Sequence, residues 1–138
     1  MNQEAVGKER WVVGSELPSV AKTLSQEKID RYARASGDFN PIHVDVAFAA
    51  QTPFGGTIAH GMLLLAYLSE MLTAAFGRAW LSGGRLKVRF KGAARPGDVV
   101  TARGRVQRVE GERGVCSVEC LNQQNEVLVA GQAEVRMS

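Results

Sequence analysis

The chain has only two histidines, His43 and His60, and each lies in a segment with chemistry around it. The first segment is Ser36-Gly37-Asp38-Phe39-Asn40-Pro41-Ile42-His43. A carboxylate and an imidazole stand five residues apart there, across a loop that Pro41 stiffens. Such a loop can aim both side chains at one point. Asp38 then reads as a base, and His43 as a second acid–base group of the type that changes charge near neutral pH. Asn40 reads as the residue that orients one of them. A plainer reading stands beside this one: Asp38 supports the turn through an Asx bond to nearby backbone.

The second segment is Gly55-Gly56-Thr57-Ile58-Ala59-His60-Gly61-Met62, at the opening of the longest helical pattern. The first N–H groups of a helix have no partner inside it and favour negative charge. Gly61 has no side chain to block close approach. A carbonyl oxygen gaining negative charge can dock on its N–H, in the manner of an oxyanion hole. Alternatively, Gly61 only permits tight packing. His60 reads either as a substrate contact or as a structural histidine bonded to backbone.

Helices and strands must bring these groups together, and the residue pattern predicts them. Glu16 to Leu24 reads as a first strand centred on Val20. Ser25 then caps a helix in which Ile29, Tyr32, Ala33 and Ser36 share a face, and Glu27 and Arg31 pair across one turn. Gly37 sits where a glycine ends such a helix. Asp45 caps a short second helix running through Gln51. Residues 59–77 form the longest helix, apolar nearly all round and therefore expected to be buried, with Gly77 at its end. After it, Arg85 to Lys91 alternates basic and apolar residues as a strand does. Arg95-Pro96-Gly97-Asp98 is a turn with Pro and Gly at type II positions. Val99–Arg108, Val115–Leu121 and Glu126–Val135 follow as strands joined by short turns at 110–114 and 122–125. One buried helix followed by a four-strand antiparallel meander predicts a sheet wrapped around a central helix.

Composition narrows the field further. A length of 138 residues suits one domain, typically ~100–200 residues, so residues 1–138 read as a single unit with 1–10 as a loose tail. Hydrophobic residues at 45% and charged residues at 22% are globular values and exclude a disordered or fibrous chain. The 15 glycines predict many tight turns. A net charge of +3 is too low for a dedicated nucleic-acid binder. The polar N-terminus has no signal-peptide core. The longest apolar run, Met62–Leu68, is far below the ~20 residues that cross a bilayer. The expectation is a soluble cytoplasmic protein that engages neither membrane nor nucleic acid. Cys116 and Cys120, four residues apart on a strand, are separated by roughly 13 Å. A disulfide needs less than ~7 Å, so they do not pair, and without histidines nearby they do not form a metal site.

Together the two histidine segments resemble those of a known family. Residues 36–43 resemble the hydratase 2 signature of (R)-specific enoyl-CoA hydratases and MaoC-like dehydratases. Gly-Asp-x-Asn-Pro-x-His is complete, with Phe39 and Ile42 at the variable positions. Ala59-His60-Gly61-Met62 resembles the start of their central helix and falls at the expected distance. The likeness covers roughly residues 15–137. It implies an α+β chain with the hot dog fold, a curved antiparallel sheet around one long helix. It also implies an overhanging segment, about residues 38–57, that carries the catalytic loop. The implied reaction is reversible addition of water to a trans-2-enoyl thioester, giving the (R)-3-hydroxyacyl thioester. By position, Asp38 and His43 hold the water. Asp38 accepts its proton as oxygen attacks C3, and His43 helps deliver a proton to C2. The Gly61 N–H stabilises the enolate-like oxygen, and Asn40 braces the loop. The resemblance implies no metal and no redox cofactor. It implies a homodimer acting on coenzyme A or acyl carrier protein thioesters. Two other readings remain: a hot dog acyl thioesterase, and a partner subunit of a heterodimeric dehydratase.

Charge is unevenly spread. Residues 1–77 carry a net −2 and residues 78–138 a net +5. Arg85, Lys87, Arg89 and Lys91 share one strand face by period two. Such a row can meet the phosphates of coenzyme A or the acidic surface of a carrier protein, or can simply be a solvated outer face that discourages edge-to-edge pairing.

Overall fold

The computed structural model describes residues 11–137. The segment expected to be loose, residues 1–10, lies outside them. Five strands are β1 (Val20–Thr23), β2 (Arg85–Phe90), β3 (Val99–Glu110), β4 (Arg113–Leu121) and β5 (Val127–Arg136). Five helices are α1 (Gln26–Ser36), α2 (Pro41–Val44), α3 (Val46–Ala50), α4 (Gly61–Phe76) and α5 (Arg78–Gly83). The strands form one antiparallel sheet in the order β1-β3-β4-β5-β2. Its inner face presents Val100, Ala102, Val106, Cys116, Val118, Cys120, Val129, Ala133 and Val135 to α4. Leu64, Leu68, Met71 and Leu72 of that helix are buried against them. Burying each such aliphatic side chain contributes about 1.5–3 kcal/mol.

The expected four-strand meander is corrected by the pairing. β3, β4 and β5 do follow one another, but β2 pairs with β5, from Arg85 opposite Glu134 to Phe90 opposite Val129. Short hairpin loops force neighbours; the link from Lys91 to Asp98 is long enough to cross the end of the sheet instead. It is tied down on the way. The Ala59 N–H donates to Ala94 O at 2.8 Å and the Gly97 N–H to Leu24 O at 2.9 Å. The turn at its end closes as expected, with Asp98 N–H on Arg95 O at 3.0 Å and Gly97 at φ 94°.

The first strand is also shorter than expected. Only Val20–Thr23 pairs continuously with β3, and Glu16 adds a single bridge to Arg105. Pro18 lies between them and has no N–H to donate to a ladder. The two short helices α2 and α5 were not expected. The long helix begins at Gly61 rather than residue 59 and is not buried all round: Met62, Ala66, Glu70 and Ala74 form an exposed stripe.

Cys116 and Cys120 both point into the core as free thiols. Burial pushes Cys116 up to about 11. Burial, with the Glu119 charge adding to it, pushes Cys120 up to about 12. Unfolded thiols ionise near ~8.5. The stability they contribute is therefore complete below about 8.5 and falls as pH rises from there through the folded values. The denaturation midpoint should drop across that alkaline range, and less steeply in Cys116→Ala/Cys120→Ala; equal slopes would show that the thiols play no part.

Candidate active site

The site is built where α1 stops. Ser25 caps α1 by accepting from Lys28 N–H at 3.1 Å. At the other end Gly37 takes the left-handed conformation, φ 80°, and donates to Ala33 O at 2.8 Å. The chain turns sharply there and delivers Asp38 to the surface. Asp38 Oδ1 accepts from Asn40 N–H at 3.1 Å, an Asx turn. Asn40 Oδ1 in turn accepts from Ile42 N–H at 3.1 Å and caps α2, with Pro41 as its first residue. This one-turn helix carries His43. Asn40 thus braces the loop twice: its side chain holds the Ile42 N–H, and its main-chain N–H holds the Asp38 carboxylate.

The two readings of Asp38 are divided between its oxygens. Oδ1 supports the turn, and Oδ2 faces His43 Nε2 at 4.0 Å. That is too long for a direct hydrogen bond and suits one bridging molecule. Asp38 is 53% exposed and His43 only 12%, so the pair has a wet side and a dry side. His43 Nδ1 lies 2.8 Å from Ile58 O. A carbonyl only accepts, so Nδ1 carries the hydrogen. The exchangeable proton of His43 is therefore confined to Nε2, the nitrogen facing Asp38.

His60 is placed behind this pair. It is 2% exposed, and its Nε2 donates to the backbone Asp38 O at 2.9 Å. Its ring stacks on His43, with centroids 3.9 Å apart and planes 24° apart, and meets Tyr32 on a tilt at 4.8 Å. His60 Nδ1 is buried without a hydrogen-bond partner among the described residues. The arrangement is that of a floor: His60 holds the carbonyl of Asp38 and supports the ring of His43. Ligand atoms of Asp38, His43 and His60 all lie within 4.8 Å of one another, the spacing of a candidate metal cluster. The stacking works against that use. Nearly parallel rings send their in-plane lone pairs out side by side, so one ion does not lie on both.

Gly61 follows His60 directly and opens α4. Among the described residues no acceptor meets its N–H. A Cβ on Gly61 would stand 2.9 Å from Phe90 Cε1. The half-exposed Phe90 ring, at the end of β2, is thus a wall beside that N–H. The approach to α4 is held in line with the loop by Ile58 N–H on Ile42 O at 3.2 Å. Sequence patterns did not single out Ile58, Phe90 or Gln26. A main-chain carbonyl leaves no residue signature, and Gln26 and Phe90 belong to ordinary helix and strand patterns.

The arrangement pairs a carboxylate and an imidazole over one gap, with a free N–H at a helix start close by in sequence to the supporting His60. A family profile described as MaoC like domain matches residues 12–129. The chain belongs to the MaoC-like family. Among curated relatives, the 3-hydroxyacyl-thioester dehydratase Z of Mycobacterium tuberculosis is 37% identical over 111 residues, covering 78% of this chain and 67% of that one. The (R)-specific enoyl-CoA hydratase of Aeromonas caviae is 31% identical over 121 residues, covering 86% of this chain and 90% of its own. Among solved structures, unliganded R-hydratase PhaJ1 of Pseudomonas aeruginosa superposes with a TM-score of 0.83 at 27% identity, covering 94% of this chain and 84% of that one. The MaoC-like chain has the hot dog fold that its motifs imply.

Proposed function

We propose that this MaoC-like chain is a hydro-lyase that adds water reversibly to trans-2-enoyl thioesters, giving (R)-3-hydroxyacyl thioesters. The observation that carries the reading is the Asp38–His43 pair, 4.0 Å apart over one gap. In the proposed cycle a water sits between Asp38 Oδ2 and His43 Nε2. Its oxygen bonds to C3 while Asp38 takes one of its protons, and the product hydroxyl keeps the other. Asp38 passes the proton it took across the gap to His43 Nε2, which gives it to C2 as the C2–C3 double bond becomes single. Both groups end as they began, with one water divided between C3 and C2. The Gly61 N–H takes the thioester oxygen as charge builds on it. No step calls for a metal or redox cofactor, since the thioester polarises the alkene. The test is loss of enoyl absorbance when the purified chain meets crotonyl-CoA. Thiol release from a saturated acyl-CoA, without hydration, would point to a thioesterase instead.

The Gly61 placement gives a second check. Gly61→Ala keeps the N–H but drives a methyl into the Phe90 ring. The ring, pushed aside, crowds the approach of the thioester to that N–H, and about 10–100-fold in kcat/KM should be lost. Adding Phe90→Ala should recover much of that. No recovery would mean the loss does not run through Phe90.

The proposal extends to assembly and carrier. The exposed stripe Met62, Ala66 and Ala74, with Phe39, Phe48 and Phe54 also exposed, supports a homodimer. A monomer mass by light scattering at micromolar concentration would reject it. On the outer sheet face Arg103, Arg105, Arg108, Arg113 and Arg136 are each ion-paired. Arg85, Lys87 and Arg89 of the edge strand β2 have no ion-pair partner among the described residues. Those free cations suit an anionic acyl carrier, coenzyme A or acyl carrier protein. No described helix is long and apolar enough to cross a membrane, and a cytoplasmic place fits both this substrate class and two free buried thiols.

A further inference from the structure

Gln26, the first residue of α1, makes three hydrogen bonds to three different parts of the chain. Its Nε2 donates to Asp30 Oδ1 at 2.8 Å and to His43 O at 2.8 Å. Its Oε1 accepts from Thr57 Oγ1 at 2.6 Å. The orientation of the amide is set by its partners. A carboxylate and a carbonyl only accept, so the nitrogen must face them, and the remaining oxygen meets the hydroxyl.

Each of these bonds bears on His43. The first anchors the amide to α1 itself. The second holds the main-chain carbonyl of His43, 17 residues away. The third holds Thr57, which is buried, 31 residues away. Thr57 precedes Ile58, whose carbonyl receives the His43 ring hydrogen at 2.8 Å. Ile58 N–H also returns to Ile42 O at 3.2 Å, so the two chain segments are already joined once. Gln26 therefore fixes the backbone of His43 directly, and fixes the acceptor of its ring hydrogen through the residue beside it.

We propose that Gln26 is a positioning residue that keeps His43 in the Nδ1–H form, with Nε2 turned to Asp38. It acts through His43 and touches no reacting atom. An imidazole held at both its backbone and its ring hydrogen reaches Asp38 at a set distance. One held only by the ring bond can slide, or shift its hydrogen between nitrogens. Misplacement of this order in a reacting group costs about 100-fold or less in rate.

The kinetic arm of the test rests on the hydration reading above; a spectroscopic arm does not. Gln26→Met keeps the length and helix preference of the side chain and removes all three bonds. Its kcat for crotonyl-CoA should fall about 10–100-fold, with KM changed less than about threefold, because the substrate-facing surface is untouched. Thr57→Val should fall less, and the double variant should match Gln26→Met, since both act through one amide. Nitrogen-15 NMR of labelled histidine reads the ring directly: wild type should show Nδ1 protonated, and Gln26→Met a mixture of the two neutral forms. A folded Gln26→Met variant with an unchanged tautomer signal would overturn the proposal. Were wild type inactive on every enoyl thioester while the tautomers still shifted, the positioning role would stand and the hydration reading would fall.

Discussion

Asp38→Asn should slow hydration of crotonyl-CoA by about 10²–10⁴-fold, the range for removing an acid–base group, with little change in melting temperature. The substitution is close to isosteric. Asn keeps an oxygen that can accept from Asn40 N–H, so the Asx turn survives. The carbonyl of Asp38 that His60 holds is main chain and is unaffected. What changes is the atom facing His43: an amide does not take up a proton at neutral pH, and the carboxylate Oδ2 does. Because Asp38 is half-exposed, no buried charge is left unpaired by the change. The loss should therefore appear in kcat and kcat/KM together, as it does when an interaction is made only in the transition state. Near-wild-type turnover in the Asn variant would remove Asp38 from the proton path and return it to the role of turn support.

Much of this site is legible in the sequence. The Ser25 cap and the Gly37 stop are local devices, written in adjacent residues, and both lie where the pattern puts them. The loop motif, its Asx turn and the Asp45 cap on α3 are local in the same way. What stayed hidden depends on residues far apart in the chain. The order of strands turned on an eight-residue link that has room to cross the sheet end, and periodicity says nothing about such a choice. The exposed stripe on α4 arose because a single curved sheet covers only part of a helix, however apolar the rest. His60 illustrates the limit within the site itself. Its type and neighbourhood suggest chemistry, yet burial against Tyr32 and His43, and a bond to main chain, make it support. No residue pattern distinguishes those two uses. Gln26 is the converse, a plain helix residue whose partners lie at positions 43 and 57.

His43→Gln should also cost about 10²–10⁴-fold in rate, and the double variant Asp38→Asn/His43→Gln should be scarcely slower than the worse single. Groups that act on one molecule as a unit are not additive: once either fails, the other has nothing left to complete. The geometry argues for such a unit. Asp38 Oδ2 and His43 Nε2 face each other at 4.0 Å, and the ring bond to Ile58 O leaves Nε2 as the only nitrogen able to exchange a proton there. Gln at position 43 can still offer an amide hydrogen toward Ile58 O, so the approach to α4 keeps its tie. It loses the ring that stacks on His60 at 3.9 Å. Some stability should go with it, about 0.5–1.5 kcal/mol for an aromatic pair. Stopped assays on all three variants, at substrate well above and well below KM, decide the matter. If the two single losses multiply in the double variant, Asp38 and His43 work on separate steps, and the shared water of the proposed cycle must be abandoned.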